Sequence, residues 1–154
     1  MDLLLWRHAE AEDLKPDGKD LDRVLTPRGE KQAKRMAQWL DRQLPDMARV
    51  LASPARRTEQ TALALGRRLK LCDELAPNDC GSQALLNLVN WPVARGTVLV
   101  VGHQPTLGHT VARLVGLQVS ECAVRKGSVW WLRSRLRDGV WQTVVVAVQA
   151  PETL

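Results

Sequence analysis

Neither phenylalanine nor tyrosine occurs in the 154 residues, and all aromatic content rests on six tryptophans. A chain that stacks unpaired bases needs aromatic side chains interleaved with basic ones. Here the basic residues are scattered along helical stretches, so nucleic acid is not expected as a partner. Trp39 and Trp91 are expected to pack on core or helix faces. Cysteine is scarce too. Cys72, Cys80 and Cys122 are odd in number and form no C-x-x-C pair. That argues against both a disulfide framework and a zinc site and leaves small core or loop thiols as the expectation. No apolar run reaches the roughly 18 residues of a membrane-spanning helix. The apolar run at Leu3–Trp6 has no basic stretch ahead of it, unlike a secretory leader. The expectation is a cytoplasmic protein with no membrane partner.

The hydrophobic share is 45% and the charged share 25%. These are globular values, and the length suits a single domain over 1–154, here expected to be a monomer. The formal net charge of +5 favours acidic partners, whether phosphate groups or an acidic protein face. No internal repeat or low-complexity stretch interrupts the chain. A polar segment from Glu12 to Arg23, with Pro16 and Gly18, reads as a surface loop long enough to border a site.

Elsewhere, apolar runs alternate with helical spacing. Thr26-Pro27 marks a helix start, with threonine as cap and proline in the first turn. Ala33, Met36, Ala37, Leu40 and Leu44 follow at helical intervals, and Pro45 ends the run. Ser53-Pro54 repeats the cap-plus-proline pattern, so the spacing predicts a second helix opening there. Gln83–Trp91 forms a third candidate, and Gln104-Pro105 opens a fourth. Asp2–Trp6, Arg49–Ala52 and Thr97–Val101 read as strands; the last does not alternate, as expected when both faces are covered. Ser128–Arg133 and Val140–Val148, joined through Asp138-Gly139, read as a hairpin. The predicted fold is a three-layer α/β/α sandwich, with a mostly parallel central sheet and an antiparallel C-terminal hairpin.

Three of these strands run directly into polar residues. Leu3–Trp6 leads to Arg7-His8, Val50–Ala52 to Ser53-Pro54-Ala55-Arg56-Arg57, and Val98–Val101 to Gly102-His103-Gln104-Pro105. In an open α/β sheet, ligands bind beyond the carboxyl ends of the strands. One sheet edge is therefore predicted to gather two histidines and at least two arginines. Arginine matches phosphate oxygens with a planar fork. A neutral imidazole attacks phosphorus, and a second, protonated imidazole stabilises the equatorial oxygens. A zinc site from His8, His103 and His109 is disfavoured by their spacing. Arg56 reads as a solvated cation, and the residues alone leave open which histidine attacks.

Leu5-Trp6-Arg7-His8-Ala9-Glu10-Ala11 resembles the Arg-His motif of the histidine phosphatase superfamily, and the chain is more narrowly similar to its SixA-type phosphohistidine phosphatases. Leu25-Thr26-Pro27-Arg28-Gly29 resembles the L-T-x-x-G element of that group. The stretch from Ser53 to Thr61 resembles its S-P-x-x-R-x-E-Q-T element, and Gly102-His103-Gln104-Pro105 its second-histidine motif. The resemblance implies a phosphoglycerate-mutase-like fold. It also implies His8 as a nucleophile that becomes phosphorylated, Arg7 and Arg57 as phosphate-binding groups, and His103 completing the pocket. Ser53 and Gly102 are supporting candidates, with capping the preferred role for Ser53. Glu59 and Gln60 are expected to support the Arg57 helix, and Arg23 and Arg28 to be solvated, though placed where an acidic substrate surface would meet them. No cofactor or metal is expected.

Ala9 stands where much of the superfamily has glycine, as it commonly does in SixA-type members. The acid that ester hydrolases of the superfamily use has no clear counterpart, the candidates being Asp73, Glu74 and Asp79. A phosphoester expels an alkoxide that needs a proton donor, whereas phosphohistidine expels an imidazole whose conjugate acid has a pKa of roughly 6.5. The expected substrate is therefore a phosphohistidine-bearing protein, such as a phosphotransfer domain. The alternatives are a small phosphomonoester or an inert phosphate-binding module.

Overall fold

The computed structural model describes residues 1–77 and 81–154; the Asp79 and Cys80 readings lie outside the described residues. Six strands form one sheet in the order β3-β2-β4-β1-β5-β6. They are β1 (Asp2–Arg7), β2 (Arg49–Ala52), β3 (Lys70–Leu71), β4 (Thr97–Gly102), β5 (Val129–Arg137) and β6 (Val140–Gln149). The first four are parallel, while β5 runs antiparallel to β1 and β6 antiparallel to β5. The helices are α1 (Pro27–Gln43), α2 (Arg56–Leu63), α3 (Gly81–Val89) and α4 (Thr106–Val115).

Side-chain alternation along the strands sorts the core into two layers. Leu4, Trp6, Val50, Leu99 and Val101 join Met36, Ala37, Leu40 and Ala62 of α1 and α2. Leu3, Leu5, Leu51, Val98 and Val100 join Leu85, Leu86, Leu107 and Val111 of α3 and α4. The expected α/β/α layering is thus present. β4 is buried on both sides from Val98 to Gly102, which is why its sequence does not alternate. Full burial of each of these leucines contributes roughly 1.5–3 kcal/mol. Trp39 and Trp91 pack on the margins of the two layers. Cys72 is buried and Cys122 half-buried, and neither is in a disulfide.

The Thr26 side chain accepts the Gly29 N–H at 2.9 Å, and Pro27 takes the first turn of α1. Gly29 lies so close to the chain after β1 that a Cβ there would sit 1.9 Å from the Glu10 carbonyl oxygen. This approach explains the glycine of the L-T-x-x-G element. The start of α2 differs from expectation. The chain bends at Pro54 and Ala55; Ala55 takes the N-cap position without a side-chain bond, and the helix begins at Arg56. Ser53 therefore does not cap α2. The hairpin turns at Asp138-Gly139, both with positive φ (51° and 76°), as a tight two-residue connection requires. No helix among the described residues is long and apolar enough to cross a membrane.

Candidate active site

The ladder register brings the polar segments together. Arg7 stands opposite Gly102 across the β1–β4 pair, and Ala52 opposite Val101 across β2–β4. The pairing continues one residue past the strand ends, with the His8 N–H donating to the Gly102 carbonyl and the Ser53 N–H to the Val101 carbonyl, both at 3.1 Å. His8, Ser53 and His103 thus leave the same edge side by side, and the rings of His8 and His103 are 5.3 Å apart between centroids. Gly102 sits close to α4: a Cβ there would come within 3.3 Å of the Leu107 side chain.

Each side chain is held from behind. His8 Nδ1 lies 2.7 Å from the Ala9 carbonyl oxygen. A carbonyl only accepts, so Nδ1 carries the proton and Nε2 keeps its lone pair. The Ala9 N–H in turn donates to Thr61 Oγ1 at 3.1 Å. His103 Nε2 lies 2.8 Å from Ser53 Oγ, and that oxygen also accepts the Ala55 N–H at 3.2 Å. With the Ser53 hydroxyl donating to Nε2, the imidazole proton sits on Nδ1. Arg7 Nη1 donates to the Val124 carbonyl at 2.8 Å. Gly127, in the loop before β5, donates its N–H to the carbonyls of both Arg7 and His8.

Arg57 is 3% exposed and is gripped by a residue the sequence reading missed. Its Nη1 donates to the Asp20 carbonyl at 2.9 Å and its Nη2 to Asp20 Oδ2 at 3.1 Å. Asp20 also receives Arg23 Nε at 3.0 Å. The only sequence signal was the unusual length of the loop that carries it. Burial pulls the Asp20 carboxyl up, but Arg57 and then Arg23 outweigh it and hold it below its ordinary value. Burial pushes Arg7 and Arg57 down from the ordinary guanidinium value, with Glu121 and Asp20 respectively opposing.

His8 is pushed down to about 4, by burial first and then by the nearby Arg57, Arg7 and Arg23, against the hydrogen bond to Ala9. His103 is pushed down to about 3 by burial, Arg57 and His8. On the protein's own charges both rings are neutral at pH 7, because burial and neighbouring cations disfavour the charged form.

Among the described residues, Arg7 Nε, Arg57 Nε and His103 Nδ1 are buried side-chain nitrogens without a hydrogen-bond partner, and Ser128 Oγ is the one such oxygen. Buried polar atoms are otherwise almost always satisfied, so the two guanidinium nitrogens, with Nδ1 where it carries the proton, are donors still available to an anion.

The remaining candidates lie apart from these atoms. Arg56 pairs with Glu59 at the surface. Gln60 Oε1 accepts the Leu25 N–H at 2.8 Å, tying α2 to the loop before α1. Asp73 and Glu74 are exposed on the short 3-10 turn after β3. His109 is half-buried in α4. No group of three or more His, Cys, Asp or Glu among the described residues is arranged to hold a metal ion.

Residues 3–79 match the histidine phosphatase superfamily, branch 1. The chain is 36% identical over 125 residues to the phosphohistidine phosphatase SixA of Escherichia coli strain K12, covering 74% of each chain. The crystal structure named for SixA of Agrobacterium tumefaciens aligns with a TM-score of 0.79 at 27% identity over 97% of both chains. The structure of the protein histidine phosphatase SixA complexed with tungstate aligns with a TM-score of 0.75 at 29% identity over 99% of both chains.

Proposed function

The chain belongs to the histidine phosphatase superfamily, and from that membership we propose that it hydrolyses the N–P bond of a phosphohistidine carried by a protein, through a phosphoryl group held transiently on His8. The observation that carries this reading is the meeting of one imidazole with a free Nε2 lone pair and three unpartnered buried donors from Arg7, Arg57 and His103. The similarity to a relative named for phosphohistidine hydrolysis supports the substrate class.

In the first step the His8 Nε2 lone pair attacks phosphorus. The bond from phosphorus to the substrate nitrogen breaks, and the substrate imidazole, protonated on its other nitrogen, leaves as a neutral ring. Arg7 and Arg57 donate to the phosphoryl oxygens throughout, and their fixed positions make this stabilisation preorganised. His103 donates from Nδ1; the dianion beside it favours its protonated form, opposing the burial that keeps the ring neutral otherwise. In the second step water attacks phosphorus and the N–P bond to His8 breaks. Inorganic phosphate leaves with the water's oxygen, and His8 returns to its neutral, Nδ1-protonated form.

The test is to trap the phosphoryl group by intact mass, on wild type and on His8→Ala and His103→Ala. An acid-labile adduct is expected on wild type and on His103→Ala, where it forms slowly. His8→Ala should carry none, and an undiminished adduct there would overturn the assignment. Turnover of free phosphohistidine should exceed that of an aryl phosphate ester. The reverse preference would move the reading to ester hydrolysis.

A further inference from the structure

Several surface arginines have acidic partners: Arg23 with Asp20, Arg56 with Glu59, Arg67 with Asp41 and Arg133 with Asp2. One flank of the candidate site departs from this. Arg28, Lys31 and Arg35 form a stripe along α1, and Arg125 and Lys126, from the loop before β5, share an adjoining groove with Arg28. All five are exposed, and among the described residues none is in a salt bridge.

This flank is continuous with the site. Arg125 lines both a groove of about 270 Å³ with Arg28 and Lys126 and the cleft beside Arg7. Gly127, one residue beyond Lys126, is bonded to the carbonyls of Arg7 and His8. On the other wall, Gln32 Oε1 accepts the Glu10 N–H at 3.0 Å, two residues after His8. The cations are therefore placed by the same backbone that places the nucleophile. Arg28 also lies in the first turn of α1, where the helix's own partial positive charge disfavours a cation and an approaching carboxylate reverses the sign.

Resting on the function proposed above, we propose that this flank docks an acidic protein surface: Asp or Glu side chains around the phosphohistidine meet Arg28, Lys31, Arg125 and Lys126 while the phosphoryl group enters the candidate site. A nucleic acid fits less well. Glu10 and Glu152 also line the groove; discrete carboxylates can avoid them, but a continuous phosphate backbone cannot. No aromatic side chain lines the groove for base stacking.

Three phosphohistidine peptides of equal length, flanked by Glu, Gln or Lys, test this directly. At low ionic strength the Glu peptide should show kcat/KM roughly tenfold or more above the Gln peptide, as several surface ion pairs together supply, with the Lys peptide lowest. Raising salt should erase the order. The combined variant Arg28→Gln, Lys31→Gln, Arg125→Gln, Lys126→Gln should erase it too, while hydrolysing free phosphohistidine at the wild-type rate. Equal turnover of all three peptides by wild type would overturn the docking surface, as would competition by duplex DNA stronger than by the unphosphorylated Glu peptide. Failure of wild type on free phosphohistidine would instead strike the catalytic proposal. The docking surface would then still be judged by the relative affinities of the unphosphorylated Glu, Gln and Lys peptides.

Discussion

Ser53 Oγ lies 2.8 Å from His103 Nε2, so a residue whose local sequence reads as a helix cap serves a histidine fifty positions away. A hydroxyl that donates to Nε2 while accepting the Ala55 N–H keeps the imidazole proton on Nδ1. Ser53→Ala removes that preference and frees the ring to change tautomer. We expect kcat on free phosphohistidine to fall by about tenfold, in line with the loss of one aligned hydrogen bond, with KM changed little. Stability should drop by only about 1 kcal/mol. A wild-type kcat in this variant would remove the role assigned to Ser53.

The two neutral histidines set a pH dependence of stability. His8 stands at about 4 and His103 at about 3 in the folded chain, whereas unfolded histidine titrates near 6.5. Below about 6.5 the unfolded chain therefore binds more protons than the folded one, and stability rises with pH across that interval. The contribution is fully present above pH 6.5 and is lost as pH falls toward 4. Calorimetry from pH 7.5 down to 5 should show a falling Tm. The double variant His8→Gln, His103→Gln should flatten that fall. A wild-type Tm that holds or climbs on acidification would contradict the neutral assignment.

Strand ends and their polar continuations were legible because they depend on local pattern and on the rule that parallel strands share an edge. Thr26-Pro27 announced α1 correctly, since its cap bond to Gly29 is local. The Ser53-Pro54 pattern places the start of α2 too early, since Ala55 takes the N-cap position; the contact of the serine hydroxyl with His103 is tertiary, and no local spacing encodes it. β3, only Lys70–Leu71, is too short to produce any periodicity. Asp20 escaped notice for the same reason as the true role of Ser53. It grips Arg57 across 37 positions of sequence, from a loop whose composition announces exposure and nothing more.

Gly29 sets helix propensity against packing. Alanine ordinarily gains about 1 kcal/mol over glycine inside a helix, and somewhat less in the first turn, where Gly29 sits. Here the added Cβ would meet the Glu10 carbonyl oxygen at 1.9 Å, which is backbone and moves only by shifting α1 or the chain after β1. Gly29→Ala should therefore destabilise by about 1–3 kcal/mol, the cost of overpacking, despite its better propensity. Urea unfolding measures this, and a more stable variant would show that the contact relaxes freely. Because Glu10 is two residues from His8, kcat should fall as well.

Thr61 joins the helix that carries Arg57 to the chain that carries His8. Its Oγ1 accepts the Ala9 N–H at 3.1 Å and donates to the Arg57 carbonyl at 2.8 Å, and the residue is fully buried. Thr61→Val keeps the shape but leaves the Ala9 N–H unpaired, a loss of about 1–3 kcal/mol. The Ala9 carbonyl fixes the His8 tautomer, so loosening Ala9 reaches His8. We expect lower kcat with nearly unchanged KM, and recovery of both stability and kcat in Thr61→Ser, which restores the hydroxyl without the methyl group. If valine behaved like wild type and serine were the impaired variant, methyl packing and not the hydrogen bond would be what the E-Q-T threonine supplies.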